Sequence, residues 1–197
     1  MWKNWYQFLA KSYKSADWTF INYGYAPIDC QNVKIQLEKK DEENRFYIQL
    51  YHHIACTVNL NNKSLLEVGC GRGGGADYIM RYLNPKTVIG VDFSENSIAL
   101  CNEYYNLDGL TFLTANAEFL PFPDDSFDVV INIESSHCFI SMDNFLYEVK
   151  RLLRNGGNFL FADLRTKNNI KDLRKSLNNS GLTLIHEMDI TPNIVKS

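Results

Sequence analysis

Residues 64–75 read Ser-Leu-Leu-Glu-Val-Gly-Cys-Gly-Arg-Gly-Gly-Gly, and this stretch decides the fold. The apolar run over residues 65–68 ends abruptly in glycines, and a helical pattern follows over residues 73–83. Glycine lets the backbone turn sharply and approach a ligand closely, because it has no Cβ atom. The stretch therefore predicts a strand, a tight turn and a helix, with the turn open to a bound molecule.

A second apolar run, residues 87–91, ends at Asp92, about 20 positions after the glycines. A carboxylate at this distance suits a ribose diol, because its two oxygens accept hydrogen bonds from both hydroxyls. Glycines that only make a tight turn are the alternative, and Asp92 argues against it. The pairing predicts a site for a nucleoside-bearing cofactor.

Two cofactor signatures fit the same glycines. Gly69, Gly71 and Gly74 match G-x-G-x-x-G, which is typical of dinucleotide sites. Gly69, Gly71 and Gly73 match E-x-G-x-G-x-G with Glu67, which is typical of S-adenosylmethionine sites. The charge of Glu67 would repel a pyrophosphate but would attract, directly or through water, the ammonium group of S-adenosylmethionine. The second signature is therefore favoured, and an NAD(P)-dependent oxidoreductase remains the weaker alternative.

Strand and helix patterns alternate along the rest of the chain. The strand candidates are residues 64–68, 86–91, 110–114, 127–133, 158–164 and 182–188. The helix candidates between them are residues 73–83, 95–105, 141–153 and 167–179. This alternation predicts an α/β fold with a Rossmann-like, doubly wound and mostly parallel sheet.

The N-terminal part differs from this core. Residues 2–16 and 36–57 carry helical patterns, the first of them rich in aromatic residues. We therefore expect one domain in which a helical cap, residues 1–58, precedes a cofactor-binding core, residues 59–197. The cap is placed to fold over the site as a lid.

The informative residues follow four different strands. They are residues 69–73, Asp92, residues 116–118 and residues 134–138. Because the carboxyl ends of parallel strands meet at one edge of a sheet, these loops are expected to form one cleft.

Composition excludes several classes of protein. The net charge of −3 gives no bulk attraction to nucleic acid. The five cysteines contain no C-x-x-C pair, so they are expected to be reduced thiols, and no metal-ligand cluster is evident. No run approaches the roughly 20 apolar residues that span a bilayer, and no signal peptide is seen. We expect a cytoplasmic protein.

Four motifs together resemble one family. They are Leu-Glu-Val-Gly-Cys-Gly-Arg-Gly-Gly-Gly (66–75), Gly-Val-Asp-Phe-Ser (90–94), Asn-Ala-Glu-Phe-Leu-Pro-Phe-Pro-Asp-Asp-Ser-Phe-Asp-Val-Val (116–130) and Arg-Leu-Leu-Arg-Asn-Gly-Gly (151–157). Across about residues 60–165 the chain resembles class I S-adenosylmethionine-dependent methyltransferases. Residues 22–25, 51–53 and 132–138 are similar to phthiotriolone-type and rifamycin-type O-methyltransferases, which methylate hydroxyls of large polyketide or lipid products.

The resemblance implies a set of cofactor contacts. Gly69 and Gly71 would pass close to the methionine and ribose portions, Asp92 would hold the ribose, and Phe93 would lie against the adenine. The residues assigned to the cofactor are Tyr23, Glu67, Gly69, Cys70, Gly71, Asp92, Phe93, Ser94, Asn116, Ala117, Glu118 and Glu134. The family usually has aspartate at position 116, so Asn116 predicts weaker binding, or only a turn after a strand.

His137 is the candidate catalytic base. A hydroxyl is a poor nucleophile until it begins to lose its proton, and histidine commonly accepts such protons near neutral pH. A histidine bonded within its own loop is the alternative. Glu134 would contact the cofactor's ammonium group or orient His137, unless it is a solvated carboxylate. Tyr23 would reach the cofactor's carboxylate.

The C-terminal pattern departs from the family. Residues 182–190 predict a sixth strand, and no candidate exists for the usual seventh strand. The sheet edge would then be incomplete, and exposed edges favour self-association. Truncation, a naturally short product and completion by a partner chain all remain open. The expected acceptor is an apolar small molecule with a hydroxyl group, and a cofactor-binding protein without turnover is the competing hypothesis.

Overall fold

A computed structural model describes residues 18–28 and 35–194 of the chain. A 3₁₀ helix, Lys39–Asn44, precedes α1 (Arg45–Ala55), and a second 3₁₀ helix spans Ser136–Cys138. The strands are β1 (Ser64–Val68), β2 (Thr87–Asp92), β3 (Leu110–Thr114), β4 (Phe127–Ile133) and β5 (Leu153–Ala162). The other helices are α2 (Gly74–Tyr82), α3 (Glu95–Tyr104), α4 (Met142–Leu152), α5 (Ile170–Asn179) and α6 (Thr191–Ile194). The predicted helix over residues 2–16 lies outside the described residues.

The five strands form one parallel sheet in the order β3-β2-β1-β4-β5. β1 lies between β2 and β4, with Glu67 opposite both Gly90 and Ile131. The strand order therefore reverses between β1 and β4, which is where ligands bind in such sheets. The predicted α/β, doubly wound architecture is confirmed.

Helices cover both faces of the sheet. On β1, Leu65 packs in the hydrophobic cluster formed with α1, α2 and α3, while Leu66 packs in the cluster formed with α4. Both side chains are fully buried. Successive residues of a strand point to opposite faces, so a strand covered on both faces is apolar throughout. This explains why β1 and β2 are apolar over most of their length, with the buried Glu67 as the exception in β1.

The predicted sixth strand is wrong. Residues 182–188 form no strand in the described structure, and Leu184 and Ile185 are 70% and 85% exposed. Their apolar pattern suits a strand, but no neighbouring strand pairs with them in the part of the chain that is described. β5 also begins at Leu153, five residues before the predicted start, directly after α4. The helical pattern over residues 36–57 divides into the first 3₁₀ helix and α1.

The described part of the N-terminal segment packs on the core. The Gly74 amide donates to the Thr19 carbonyl over 3.2 Å, and Leu50 of α1 is fully buried. Arg81 of α2 pairs with Asp41 of the first 3₁₀ helix, with Nη1 2.8 Å from Oδ2. These contacts fix α1 and residues 18–28 against α2. None of the helices in the described ranges has the length and apolar character to cross a membrane.

Candidate functional site

The turn after β1 is shaped by glycines at two distinct positions. Gly69 has a φ of +77°, and a Cβ atom there would overlap the side chain of Ser135. Gly71 has a φ of +54°, and its Cβ position is open apart from Ile21. The amides of Gly69 and Cys70 both donate to the Val91 carbonyl of β2, over 2.8 and 3.0 Å. The turn is therefore held against β2, and the only side chain beside the Cβ position of Gly71 in the described structure is Ile21.

Asp92 stands at the end of β2 beside this turn. Its Oδ2 accepts the Gly71 amide over 3.0 Å, and its Oδ1 accepts the Ser94 amide over 2.8 Å. Burial raises the pKa of the carboxyl above its usual range, although these amides oppose the shift. An ionised carboxylate has about four acceptor positions, so both oxygens can still accept hydrogen bonds from a ligand.

One cleft, with a volume of about 290 Å³, runs along the carboxyl ends of β1 to β4. Specific small-molecule pockets span roughly 300–1,000 Å³, so this cleft lies at the lower end. Most of the predicted site residues line it: Gly69, Cys70, Gly71, Asp92, Phe93, Asn116, Ala117, Glu118 and Glu134. The expected convergence of four loops is thus present, while the role of each residue stays a prediction.

Four predicted residues lie outside the cleft lining. They are Glu67, Ser94, Tyr23 and His137, and His137 is described below. Ser94 caps α3, where its Oγ accepts the Ser97 amide. The Tyr23 side chain is 65% exposed. Glu67 is buried beneath Tyr51, whose hydroxyl donates to Glu67 Oε1 over 2.6 Å. Burial raises the pKa of Glu67 to about 7, against the hydrogen bond from Tyr51.

Tyr51 is a site residue that the sequence analysis missed. It belongs to α1, lines the cleft, and lies where a Cβ atom on Gly75 would overlap its ring. The sequence feature that could have indicated it is Gly75, because neither cofactor signature requires a glycine at this position. Its purpose is to let the α1 side chain approach α2 closely.

Glu134 connects the N-terminal segment to the end of β4. Its Oε2 accepts the Tyr23 amide over 2.9 Å, and burial raises its pKa to about 7. Residues 18–28, which we call the strap, are thereby held across the cleft. Phe20 and Ile21 of the strap contribute apolar lining.

Asn116 forms a local turn. Its Oδ1 accepts the Glu118 amide over 3.0 Å, while Glu118 Oε1 accepts the Ile140 amide over 2.8 Å. Asparagine is favoured in such turns because its side chain mimics a backbone carbonyl. Asn116 therefore shapes the loop after β3 and also borders the cleft.

His137, the fourth residue outside the lining, lies beside the cleft in the 3₁₀ helix after β4. Its Nδ1 is 2.7 Å from Oδ1 of Asp163, which follows β5 and has a fully buried side chain. This hydrogen bond, reinforced by Cys138, raises the pKa of His137 to about 10. The flanking Ser135 and Cys138 line the cleft. A carboxylate at Nδ1 leaves Nε2 as the ring nitrogen that can exchange a proton, while the role of His137 as a general base stays a prediction.

Asp163 was also missed. The sequence pattern that identified Asp92 also applies to Asp163, because both are acidic residues that follow an apolar strand run. In the described residues, no group of three or more His, Cys, Asp or Glu side chains could hold a metal ion.

Comparison with known sequences gives relatives along the whole chain. The family described as "Methyltransferase domain" matches residues 66–161. The phthiotriol/phenolphthiotriol dimycocerosates methyltransferase of Mycobacterium leprae is 40% identical over 196 residues, covering all of this chain and 72% of that protein. The fatty-acid O-methyltransferase of Mycolicibacterium smegmatis is 40% identical over 191 residues, covering 97% of this chain and 69% of that protein.

Solved structures agree on the fold. The geranyl diphosphate C-methyltransferase of Streptomyces coelicolor superposes with a TM-score of 0.74 at 16% identity, covering 96% of this chain and 84% of that chain. The [4+2]-cyclase SpnF superposes with a TM-score of 0.73 at 20% identity, covering 98% and 75%. At these identities the likeness extends to the fold alone, since one fold hosts several reactions.

Proposed function

Because this chain belongs to the class I S-adenosylmethionine-dependent methyltransferases, we propose that it methylates a hydroxyl of a bulky, apolar small molecule of polyketide or lipid type. The family predicted from the motifs is confirmed by relatives that are 40% identical along the chain. The hydroxyl target rests on one observation, the His137–Asp163 pair beside the cleft.

The cleft residues fit S-adenosylmethionine. The Asp92 carboxylate is fixed by two amides and retains capacity for the ribose hydroxyls. A Cβ atom on Gly71 would meet only the Ile21 side chain, at an ordinary contact distance, so the backbone there can approach a ligand. Oε2 of Glu67 is buried and has no hydrogen-bond partner among the described residues, which suits a site that receives an ammonium group from nearby. In this proposal Asp92 holds the ribose, Phe93 and Ala117 border the adenine, and Glu134 faces the amino-acid end.

When bound, S-adenosylmethionine supplies a methyl group that its sulfonium already activates. The protein's part is to orient the acceptor, exclude water and take up a proton. In its neutral form, His137 accepts the hydroxyl proton at Nε2, and the Asp163 carboxylate stabilises the resulting imidazolium. The aromatic side chains of Phe20 and Phe139 exclude water from the cleft.

The apolar character of the acceptor is supported by the rim of the cleft. Ile140 lines the cleft and is 97% exposed, and Ile21 from the strap is 36% exposed. Exposed apolar side chains beside a cleft commonly mark a binding surface. The names of the relatives, a dimycocerosates methyltransferase and a fatty-acid O-methyltransferase, agree with a lipid-like acceptor.

Incubation with methyl-labelled S-adenosylmethionine and matched long-chain acceptors tests the proposal. We expect a long-chain secondary alcohol to be methylated, and the equivalent amine to be a poor acceptor, as read by mass spectrometry. His137→Ala should lower kcat by about 100-fold or more, the usual contribution of a general base. It should leave the affinity for S-adenosylhomocysteine unchanged in isothermal titration.

His186→Ala is the matched control, because His186 is exposed and lies on the segment after α5. Methylation at the wild-type rate by His137→Ala would show that the base role is wrong. Preference for the amine would refute the hydroxyl acceptor. Cofactor binding without methylation of any acceptor would favour the alternative, a binding protein without turnover.

A further inference from the structure

Asp163 is the centre of a buried hydrogen-bond cluster. Its Oδ1 accepts from His137 Nδ1 over 2.7 Å and from the Leu164 amide over 2.8 Å. Its Oδ2 accepts from the His137 amide over 2.9 Å and from Ser136 Oγ over 2.5 Å. Burial opposes ionisation of this carboxyl, but the bonds from His137, Ser136 and Arg165 hold its pKa below the usual range.

Arg165 is the second cation of this cluster. Its Nη1 lies 2.8 Å from Asp163 Oδ2, and its Nη2 donates to Ser136 Oγ over 2.7 Å. Nη1 also donates to the Leu164 carbonyl over 2.8 Å, and the side chain is 11% exposed. The guanidinium therefore joins the loop after β4 to the loop after β5. A lysine could supply the charge but not this fixed fork.

The charges of the cluster determine how tightly His137 holds its proton. Asp163 and Arg165 face it from the end of β5, while Glu134 and Cys138 act on it from the loop after β4. If His137 were the only cation beside Asp163, loss of its proton would leave a buried carboxylate unpaired, which is costly. Arginine stays charged at all working pH values, so it pairs with Asp163 in both protonation states of His137.

We propose that Arg165 is a positioning residue for methyl transfer, which shares the Asp163 carboxylate with His137 and thereby increases the fraction of His137 that is neutral. The proposal rests on the proposed function, since only a neutral imidazole can accept the hydroxyl proton. The geometry supports it, because the imidazole and the guanidinium bind the same buried carboxylate, each over less than 3 Å.

NMR titration of ¹³C-histidine-labelled full chain tests this directly, with the His137 signal assigned by its loss in His137→Ala. We expect Arg165→Gln to raise the pKa of His137 by about one unit, which is a tenfold change in the neutral fraction. The value of kcat/KM at pH 8 should fall about tenfold, and the acidic limb of the pH profile should move up equally. Arg165→Lys should shift the pKa of His137 and the acidic limb by about half as much. Its kcat/KM should lie between those of the wild type and Arg165→Gln.

Arg174→Gln is the matched control, because Arg174 is exposed and pairs with exposed Glu187. It should leave the titration and the rate unchanged. An unchanged or lower pKa of His137 in Arg165→Gln would overturn the proposal, as would a lower rate with an unshifted pH profile. If Arg165→Gln does not fold, Arg165→Lys is used for the test. A pKa of His137 equal to that of the wild type in this variant would overturn the proposal.

The titration needs neither cofactor nor acceptor, so the two proposals can fail separately. A shifted pKa in a chain that methylates no alcohol would refute the hydroxyl acceptor and still support the coupling of Arg165 to His137. Methylation of the alcohol with no shift would leave the proposed function standing and overturn the role of Arg165.

Discussion

Two buried glutamates illustrate how environment sets the sign of a pH effect. Burial raises the pKa of Glu67 from 4.5 to about 7. Hydrogen bonds from Arg151, aided by the Leu120 amide, lower the pKa of Glu148. Glu67 therefore contributes stability that is fully present below pH 4.5 and is lost as the pH rises through 7. Glu148 contributes stability above its ordinary pKa, which is lost as the pH falls through the lowered one.

We predict that Glu67→Gln stabilises the cofactor-free protein at pH 8, by up to about 3 kcal/mol, because the shift of Glu67 spans roughly two and a half pKa units. The two proteins should have equal stability near pH 4. The same variant should weaken binding of S-adenosylhomocysteine about tenfold, because the ammonium group loses an attracting charge. Urea unfolding across pH and isothermal titration measure the two effects.

Glu148→Gln is the matched control for this prediction. It removes a favourable ion pair with Arg151, so it should destabilise the protein at pH 8 without altering cofactor affinity. Lower stability of Glu67→Gln at pH 8 would contradict the assignment of Glu67 as a strained buried carboxyl.

The close contact between α1 and α2 depends on the absence of a Cβ atom at Gly75. Alanine normally stabilises a helix by about 1 kcal/mol over glycine. At Gly75, however, a Cβ atom would overlap the Tyr51 ring, and overpacking costs roughly 1–3 kcal/mol. We predict that Gly75→Ala destabilises the protein by about 2 kcal/mol in urea unfolding and weakens cofactor binding, because Tyr51 lines the cleft.

Gly156→Ala is the control for this prediction. Gly156 has a φ of +77° and open space around its Cβ position, so alanine there adds only backbone strain of about 1 kcal/mol. It should leave cofactor affinity unchanged. Gly75→Ala at or above wild-type stability would show that Tyr51 does not pack as described.

The sequence predicted elements where burial imposes a pattern. β1 to β4 were predicted within one residue of their bounds. β1 and β2 are near-continuous apolar runs because both of their faces are covered. β3 and β4 are rich in the β-branched and aromatic residues that favour strands. The start of β5 was missed because Arg154, Asn155 and Gly156 are exposed there and resemble a turn. Residues 182–188 were misassigned because apolar alternation indicates a strand-like segment but does not supply a neighbour to pair with.

The residues of the candidate site also differ in how far the sequence could predict them. Residues at or directly after the carboxyl end of a strand, such as Asp92 and Glu134, could be placed from topology alone. Tyr51 could not, because its position depends on packing between α1 and α2. Arg165 could not, because its role depends on an ion pair with Asp163 and a hydrogen bond with Ser136.

At the scale of the whole molecule, β3 and β5 are the two edge strands of the sheet in the described structure. β5 is the last strand on its side in the described structure, and Ile185 is a large apolar side chain exposed on the segment after α5. Open strand edges and exposed apolar side chains favour association. We predict concentration-dependent self-association in sedimentation velocity, reduced by Ile185→Lys. The exposed control Lys171→Ala should have no effect, and a monomer at all concentrations would contradict the prediction.

The central claim is that the four loops at the carboxyl edge form a site whose ribose contact is Asp92. Isothermal titration with S-adenosylhomocysteine tests it most directly, comparing the wild type with Asp92→Ala and with the exposed control Asp172→Ala. Hydrogen bonds to charged groups contribute about 1.5–3 kcal/mol each, so loss of Asp92 should weaken binding by about 100-fold. We predict micromolar affinity for the wild type and for Asp172→Ala. No heat of binding with the wild type, or equal affinity in Asp92→Ala, would contradict the claim.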